Sequence, residues 1–162
     1  MGQKREQPER QAGGIGLLRE GDVAELLGLM KVFYAHERFD FEAEASGRLI
    51  HHLLEHPQAG SVFIAREGER AVGYMVLTRC YSLEFGGPFV LLDEIFLLPE
   101  AQGQGLGKRL IDTAAGYCRE NGFGYLRLEV QKKNLRAIDV YRAAGFHAED
   151  RFLLSRPVAR RD

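Results

Sequence analysis

Val90-Leu91-Leu92-Asp93-Glu94-Ile95-Phe96-Leu97-Leu98, then Pro99-Glu100-Ala101, then Gln102-Gly103-Gln104-Gly105-Leu106-Gly107-Lys108-Arg109: this run organises the rest of the chain. Its apolar opening reads as a buried strand, and its glycines as a turn onto a helix beginning at about Gly105. Gly103, Gly105 and Gly107 alternate, so the backbone there carries little bulk and can take conformations closed to other residues. The first N–H groups of a helix have no partner within it. With the positive end of the helix dipole they suit a phosphate or pyrophosphate. Lys108 and Arg109 put positive charge in the first turn, where helix stability would favour acids; an anionic ligand accounts for them better.

Two familiar glycine loops fit poorly. The dinucleotide fingerprint wants its third glycine one residue later, where Lys108 stands, and the phosphate loop wants Ser or Thr after the lysine, where Arg109 stands. A plain turn that starts a helix stays open on the loop alone. Downstream, Leu106, Leu110, Ala114, Tyr117 and Cys118 stripe one face of a helix that Asn121-Gly122 stops. Tyr125 to Val130 reads as a strand, and a further helix runs from Asn134 through Tyr141 toward Gly145-Phe146.

Gln102-x-x-Gly105-x-Gly107 after an apolar strand, followed by Asn134-x-x-Ala137-x-x-x-Tyr141-x-x-x-Gly145-Phe146, resembles the GNAT superfamily of N-acetyltransferases in order and spacing. That family often has Arg where this chain has Gln102. The resemblance implies a mixed α/β sheet with helices on both faces, acetyl-CoA as acyl donor, and transfer of the acetyl group to an amine. It places the coenzyme against Ile95, Phe96 and Leu97, against Gln102, Gly103, Gln104, Gly105, Leu106, Gly107 and Lys108, and against Asn134 and Tyr141. It also implies that the strand holding Ile95 to Leu98 parts from the Leu126–Val130 strand, leaving N–H groups for the pantetheine and the thioester carbonyl, so that the coenzyme behaves as an added strand.

Moving an acetyl group from a thioester to an amine sets three demands. An ammonium must lose its proton before it has a lone pair, the tetrahedral oxyanion needs donors, and the leaving thiolate gains from an acid. A phenol is a donor at neutral pH, so Tyr141 can be that acid; the family has a tyrosine beside the coenzyme sulfur at the matching place. Asn134 suits the N-cap of the Tyr141 helix. For the base, Glu94 stands inside an apolar run where burial would raise a carboxyl. Strand alternation sends Asp93 and Glu94 to opposite faces. Glu129 is the rival: the run Leu128-Glu129-Val130 is similar to that of ribosomal-protein alanine acetyltransferases, where the matching Glu is the base. A water chain with no single base is the third possibility.

Earlier in the chain, Ile15 to Glu20 reads as a first strand. Asp22 and Glu25 have the spacing of a capping box before a helix with Val23, Leu26, Leu27, Met30, Phe33 and Tyr34 on its buried face. A second helix runs from Glu42 to His56 through Leu49, Ile50, Leu53 and Leu54. Between them, aromatics interleave with acids; Phe33, Tyr34, Glu37 and Asp40, with Tyr81 further on, are the candidate contacts for a cationic amine. An ordinary helix end packing its rings into the core accounts for them equally. Ser61 to Arg66 and Ala71 to Tyr81 read as a hairpin, and Phe146 to Asp150 and Arg151 to Val158 as two closing strands. His51, His52 and His56 lie close together, but two histidines at i, i+4 are thin for a metal and none is expected.

With 162 residues, the expectation is one domain over residues 15–162 behind a loose arm of residues 1–14. A net charge of −1 and a pI near 6.5 offer no general attraction to nucleic acid, and no apolar stretch reaches membrane-spanning length. Cys80 and Cys118 have neither metal nor disulfide spacing, which makes a reducing cytoplasm the default and leaves both thiols inert. The expected activity is therefore acetyl-CoA-dependent acetylation of a small cationic primary amine, by direct attack in a ternary complex. A protein lysine or N-terminal acetyltransferase is the alternative, and an acyl-CoA-binding regulatory module without turnover is the alternative of another class. The oligomeric state stays open, a homodimer included.

Overall fold

Alternation along the strands builds a sheet with two apolar faces. The computed structural model describes residues 14–158; the expected N-terminal arm lies outside them except for Gly14. In chain order the elements are β1 (Gly14–Leu17), α1 (Val23–Glu37), α2 (Ala43–Glu55), β2 (Gly60–Glu67), β3 (Arg70–Ser82), β4 (Gly87–Leu97), α3 (Leu106–Glu120), β5 (Leu126–Leu128) and α4 (Leu135–Ala143). Single turns of 3-10 helix precede α1 and follow β4. The chain divides into two compact units, one ending at Glu129 and one beginning at Val130.

In the first unit the strands lie in the order β1-β2-β3-β4-β5. The first three pairings are antiparallel, and β5 joins β4 parallel, Val90 opposite Leu126 and Leu92 opposite Leu128. Leu26, Met30 and Ile50 of α1 and α2 pack on one face with Val62, Ile64, Tyr74 and Val76. On the other, Leu106, Leu110, Ala114 and Cys118 of α3 pack with Phe63, Ala65, Met75, Leu77, Val90 and Leu92. Neighbouring strand residues thus serve opposite layers, which is why β3 is buried continuously from Ala71 to Leu77. The mixed sheet with helices on both faces is as expected. No helix among the described residues is long and apolar enough to cross a membrane.

Local chemistry departs from expectation in four places. Asp22 and Glu25 do not form a capping box: both carboxylates bind the Arg66 guanidinium from β2, and Asp22 also accepts from the Arg19 N–H. The Arg66 side chain is only 9% exposed, and a charge so buried requires charged partners more than the helix start requires a second cap. On α2, Leu49 is 64% exposed; the buried face runs instead through Ser46, Gly47 and Ile50. Gly47 faces Leu27 of α1, where a Cβ would make an ordinary 3.7 Å contact. Glu129 lies beyond the end of β5 and is exposed rather than inside a strand. In the second unit, residues 146–158 form no strand. Phe152 and Leu154 are 82% and 88% exposed, and an apolar strand needs both a backbone partner and a face to bury.

Gly73, opposite Leu97 in the β3–β4 ladder, sits where a Cβ would run into the Leu97 side chain and come within 2.5 Å of the Phe96 carbonyl oxygen. Gly73→Ala should therefore lower unfolding free energy by about 1–3 kcal/mol in urea titration, because backbone as well as the Leu97 side chain obstructs the new methyl.

Candidate active site

An irregularity in β4 shapes the site. Val76 of β3 faces Glu94, but the next residue, Leu77, faces Leu92, so Asp93 is an extra residue with no opposite number. Such a bulge shifts the alternation by one. Val90 and Leu92 before it and Ile95 and Leu97 after it all pack on the α3 layer, while Phe96 packs on the α1 layer. Asp93, following Leu92, and Glu94, preceding Ile95, consequently share the α1 side. The expectation that they point to opposite faces is overturned, because simple alternation holds only in an unbroken ladder.

Glu94 meets two phenols there. Tyr34 Oη, from α1, donates to Oε1 at 2.6 Å, and Tyr74 Oη, from β3, donates to Oε2 at 2.8 Å. Burial, reinforced by the Glu94 carboxylate, pushes both phenols well above the ordinary tyrosine value, and the Asp93 charge adds to the effect. Asp93 itself is exposed at the surface, yet desolvation raises its carboxyl above the usual range. Around Tyr34 stand Phe33, Phe39 and Phe41, with ring centroids 5.7, 5.9 and 5.6 Å away.

Beyond the bulge the sheet opens. β5 pairs with β4 only from Val90 to Leu92, so among the described residues the stretch from Glu94 to Leu97 has β3 on one side and no strand partner on the other. The Leu98 N–H donates to Val72 O at 2.9 Å, toward β3. By alternation the Phe96 N–H also turns toward β3, and those of Ile95 and Leu97 face the open edge. Gln102 Nε2 reaches back to donate to Leu97 O at 3.0 Å, tying the glycine loop to that edge.

The loop enters α3 through two residues of positive φ, Gly103 at 77° and Gly105 at 81°, a region unfavourable for any side chain. Gly105 is the N-cap and offers no side-chain acceptor, and the first turn contains no acid. Arg109 N–H already bonds to Gly105 O at 3.1 Å, which leaves the N–H groups of Leu106, Gly107 and Lys108 without helical acceptors. Gly107 lies beneath β4, where a Cβ would stand 3.6 Å from the Leu97 side chain. Lys108 pairs with Asp112 along the exposed helix surface, and Gln104 Nε2 donates to Glu100 O at 2.9 Å. An opened sheet edge beside an uncapped, glycine-fed helix start fits an extended thioester chain ending in phosphates.

Comparison with known proteins agrees. The model of the acetyltransferase (GNAT) family matches residues 23–146. The chain belongs to the GNAT family. It is similar to the thialysine N-epsilon-acetyltransferase of Bos taurus, 28% identical over 136 residues that cover 78% of this chain and 79% of that protein. It is also similar to the ribosomal protein bS18-alanine N-acetyltransferase of Escherichia coli K12, 30% identical over 96 residues, 56% of this chain and 65% of that one. Among solved structures, an integron cassette protein from the mobile metagenome of Cole Harbour Salt Marsh superposes with a TM-score of 0.82 at 34% identity, covering 90% of this chain and 91% of its own. The protein is an acetyltransferase enzyme of a family whose acyl donor is acetyl-CoA.

Other candidate residues of this GNAT enzyme fall as follows. In the second unit, Asn134 caps α4, its Oδ1 accepting from the Ala137 N–H at 3.2 Å, and Tyr141 packs edge-on against Phe146 with centroids 5.9 Å apart. Burial raises the Tyr141 phenol, so it keeps its proton at neutral pH. On the amine side, Phe33 is committed to packing against Tyr74 and Phe96, Glu37 bonds to His36, Asp40 is exposed in the α1–α2 connection, and Tyr81 is 73% exposed at the end of β3. Of the candidate amine contacts, Tyr34 is the one that hydrogen-bonds to a carboxylate of the bulge. Cys118 is buried with its thiol pushed up, which suits packing and not nucleophilic attack. His51 faces Glu20, and His52 stacks on His56.

Tyr74 was missed in the sequence. A phenol within the apolar run Val72–Leu77 needs an acceptor when buried, and that need was the available signal. Tyr34, Tyr74 and Tyr141 all hold their protons to higher pH than in the unfolded chain, where a phenol titrates near 10. Their contribution to stability is thus complete below about pH 10 and lost as pH climbs toward the native values. Urea unfolding at about pH 9, 10 and 11 should show falling stability, with a shallower slope in Tyr74→Phe.

Proposed function

We propose that the protein is a cytoplasmic enzyme that transfers the acetyl group of acetyl-CoA directly to a small primary alkylammonium compound of the thialysine type. The observation that carries this reading is the β4 bulge, which sets two carboxylates beside an aromatic wall next to the opened sheet edge. An ammonium is drawn by the carboxylates and by the faces of Tyr34, Phe39 and Phe41. The name of the Bos taurus relative supplies the amine class. The E. coli relative favours a second reading, acetylation of a protein N-terminus.

In this reading, Ile95 and Leu97 supply edge N–H groups to the pantetheine and to the thioester oxyanion, and the N–H groups from Leu106 to Lys108 hold the pyrophosphate. Asp93 is the favoured base. Its carboxyl is raised by desolvation, whereas both Glu94 oxygens are already engaged as hydrogen-bond acceptors of the two phenols. Glu129, exposed beyond β5, is less suited. The ammonium gives one proton to Asp93, the amine nitrogen bonds to the thioester carbon, and the collapsing oxyanion breaks the C–S bond and expels the thiolate. Tyr141 gives the thiolate its phenolic proton and regains one as the nitrogen, cationic after attack, releases its second proton through solvent.

Free-thiol release from acetyl-CoA, measured against thialysine, lysine, polyamines and peptides, should rise with thialysine. Release stimulated only by peptides would turn the reading to the protein acceptor, and binding without amine-stimulated release would indicate a non-catalytic module. Tyr141→Phe should lower kcat roughly tenfold to a thousandfold with acetyl-CoA affinity nearly unchanged, since solvent replaces part of the acid. Gly105→Glu puts bulk, charge and an unfavourable φ at the helix start. Calorimetry on the folded variant should show acetyl-CoA affinity reduced by roughly tenfold or more, and unchanged affinity would remove the loop from the coenzyme site.

A further inference from the structure

Glu94 is held at both oxygens by donors from two different elements, Tyr34 of α1 and Tyr74 of β3. Two phenols donating to its two oxygens complement a carboxylate, which has acceptors on both oxygens and no donor of its own. Packing does not explain the pair. Tyr74 is wholly enclosed among apolar neighbours, where Phe would fill nearly the same space without a polar atom to satisfy. The ionised carboxylate has about four acceptor positions, and the phenols take two, which leaves capacity for the N–H groups of an ammonium. The titratable groups that bear on this point are Asp93 on the same strand, Tyr34 and Tyr74; Phe33 and Phe96 pack around the tyrosines without charge.

We infer that Tyr34 and Tyr74 are positioning residues: they fix Glu94 as an ionised, oriented counter-charge for the acceptor's ammonium and so leave proton transfer to Asp93. The inference rests on the proposed acetylation of a cationic amine. It gives the adjacent acids separate tasks, one binding charge and one taking a proton. It also links acceptor binding to the C-terminal turns of α1, since Tyr34 both holds Glu94 and forms the centre of the aromatic wall.

The test is a double-mutant cycle in the full-length enzyme with thialysine and acetyl-CoA. Tyr34→Phe and Tyr74→Phe should each raise the thialysine KM by roughly fivefold, with a much smaller change in kcat and none in the acetyl-CoA KM. In a Glu94→Gln background the same changes should alter the thialysine KM by less than about twofold, because the charge they orient is gone. Undiminished effects in that background, or equal effects on both substrates, would overturn the inference. An alkaline ultraviolet titration provides a readout without turnover. Glu94→Gln should bring a tyrosine ionisation to lower pH, and the combined Tyr34→Phe/Glu94→Gln variant should lack the part due to Tyr34. An unchanged titration in Glu94→Gln would also overturn the inference, whatever amine the enzyme accepts. Absence of thialysine turnover with a shifted titration would instead count against the proposed acceptor.

Discussion

A single extra residue in β4 is the constraint from which the site follows. Without the bulge at Asp93, strand alternation would send Glu94 into the α3 layer and turn Ile95 and Leu97 out of it. The tyrosines of α1 and β3 would then lack their acceptor, and the carboxylate would lie among the apolar side chains of α3. The bulge also coincides with the point at which β4 leaves β5. One local irregularity therefore places the acids and marks where the sheet edge opens.

Energetically, the region combines an expensive feature with its compensation. A carboxylate and two phenols withdrawn from water would each lose hydration, and each would be destabilising alone. Together they satisfy one another through short O–H···O bonds, at 2.6 and 2.8 Å. The Arg66 cluster uses the same logic at another part of the sheet, where Asp22 and Glu25 join α1 to β2 through a nearly buried guanidinium. Thus α1 is held to the sheet by polar contacts near both its ends as well as by its apolar face. That double attachment fixes Tyr34 relative to β4.

The glycine loop shows a different principle, in which side chains are absent so that backbone can act. Gly103 and Gly105 occupy positive φ, Gly105 leaves the helix uncapped, and Gly107 sits close beneath Leu97. The first-turn charge noticed in the sequence is less exclusive than it looked, since Lys108 also has Asp112 as an i, i+4 neighbour. An exposed pair of this kind contributes little to stability and gives way easily to a ligand.

The sequence by itself determined the family pattern, the layered fold and the glycine turn, because these depend on local spacing: apolar alternation, a helical stripe, glycines at fixed positions and the Asn134–Tyr141 interval. It also showed that Glu94 would need partners, though not which ones. Tertiary structure decided that Tyr34, sixty positions away, and Tyr74, twenty away, provide them. It turned Asp93 to the same side through a bulge that no periodicity announces, claimed Asp22 and Glu25 for Arg66, and left residues 146–158 without the strands their pattern suggests. Backbone preference and side-chain period are properties of neighbouring residues. Register, buried charge pairing and the choice of strand partner arise only when distant segments compete for the same space and the same hydrogen bonds.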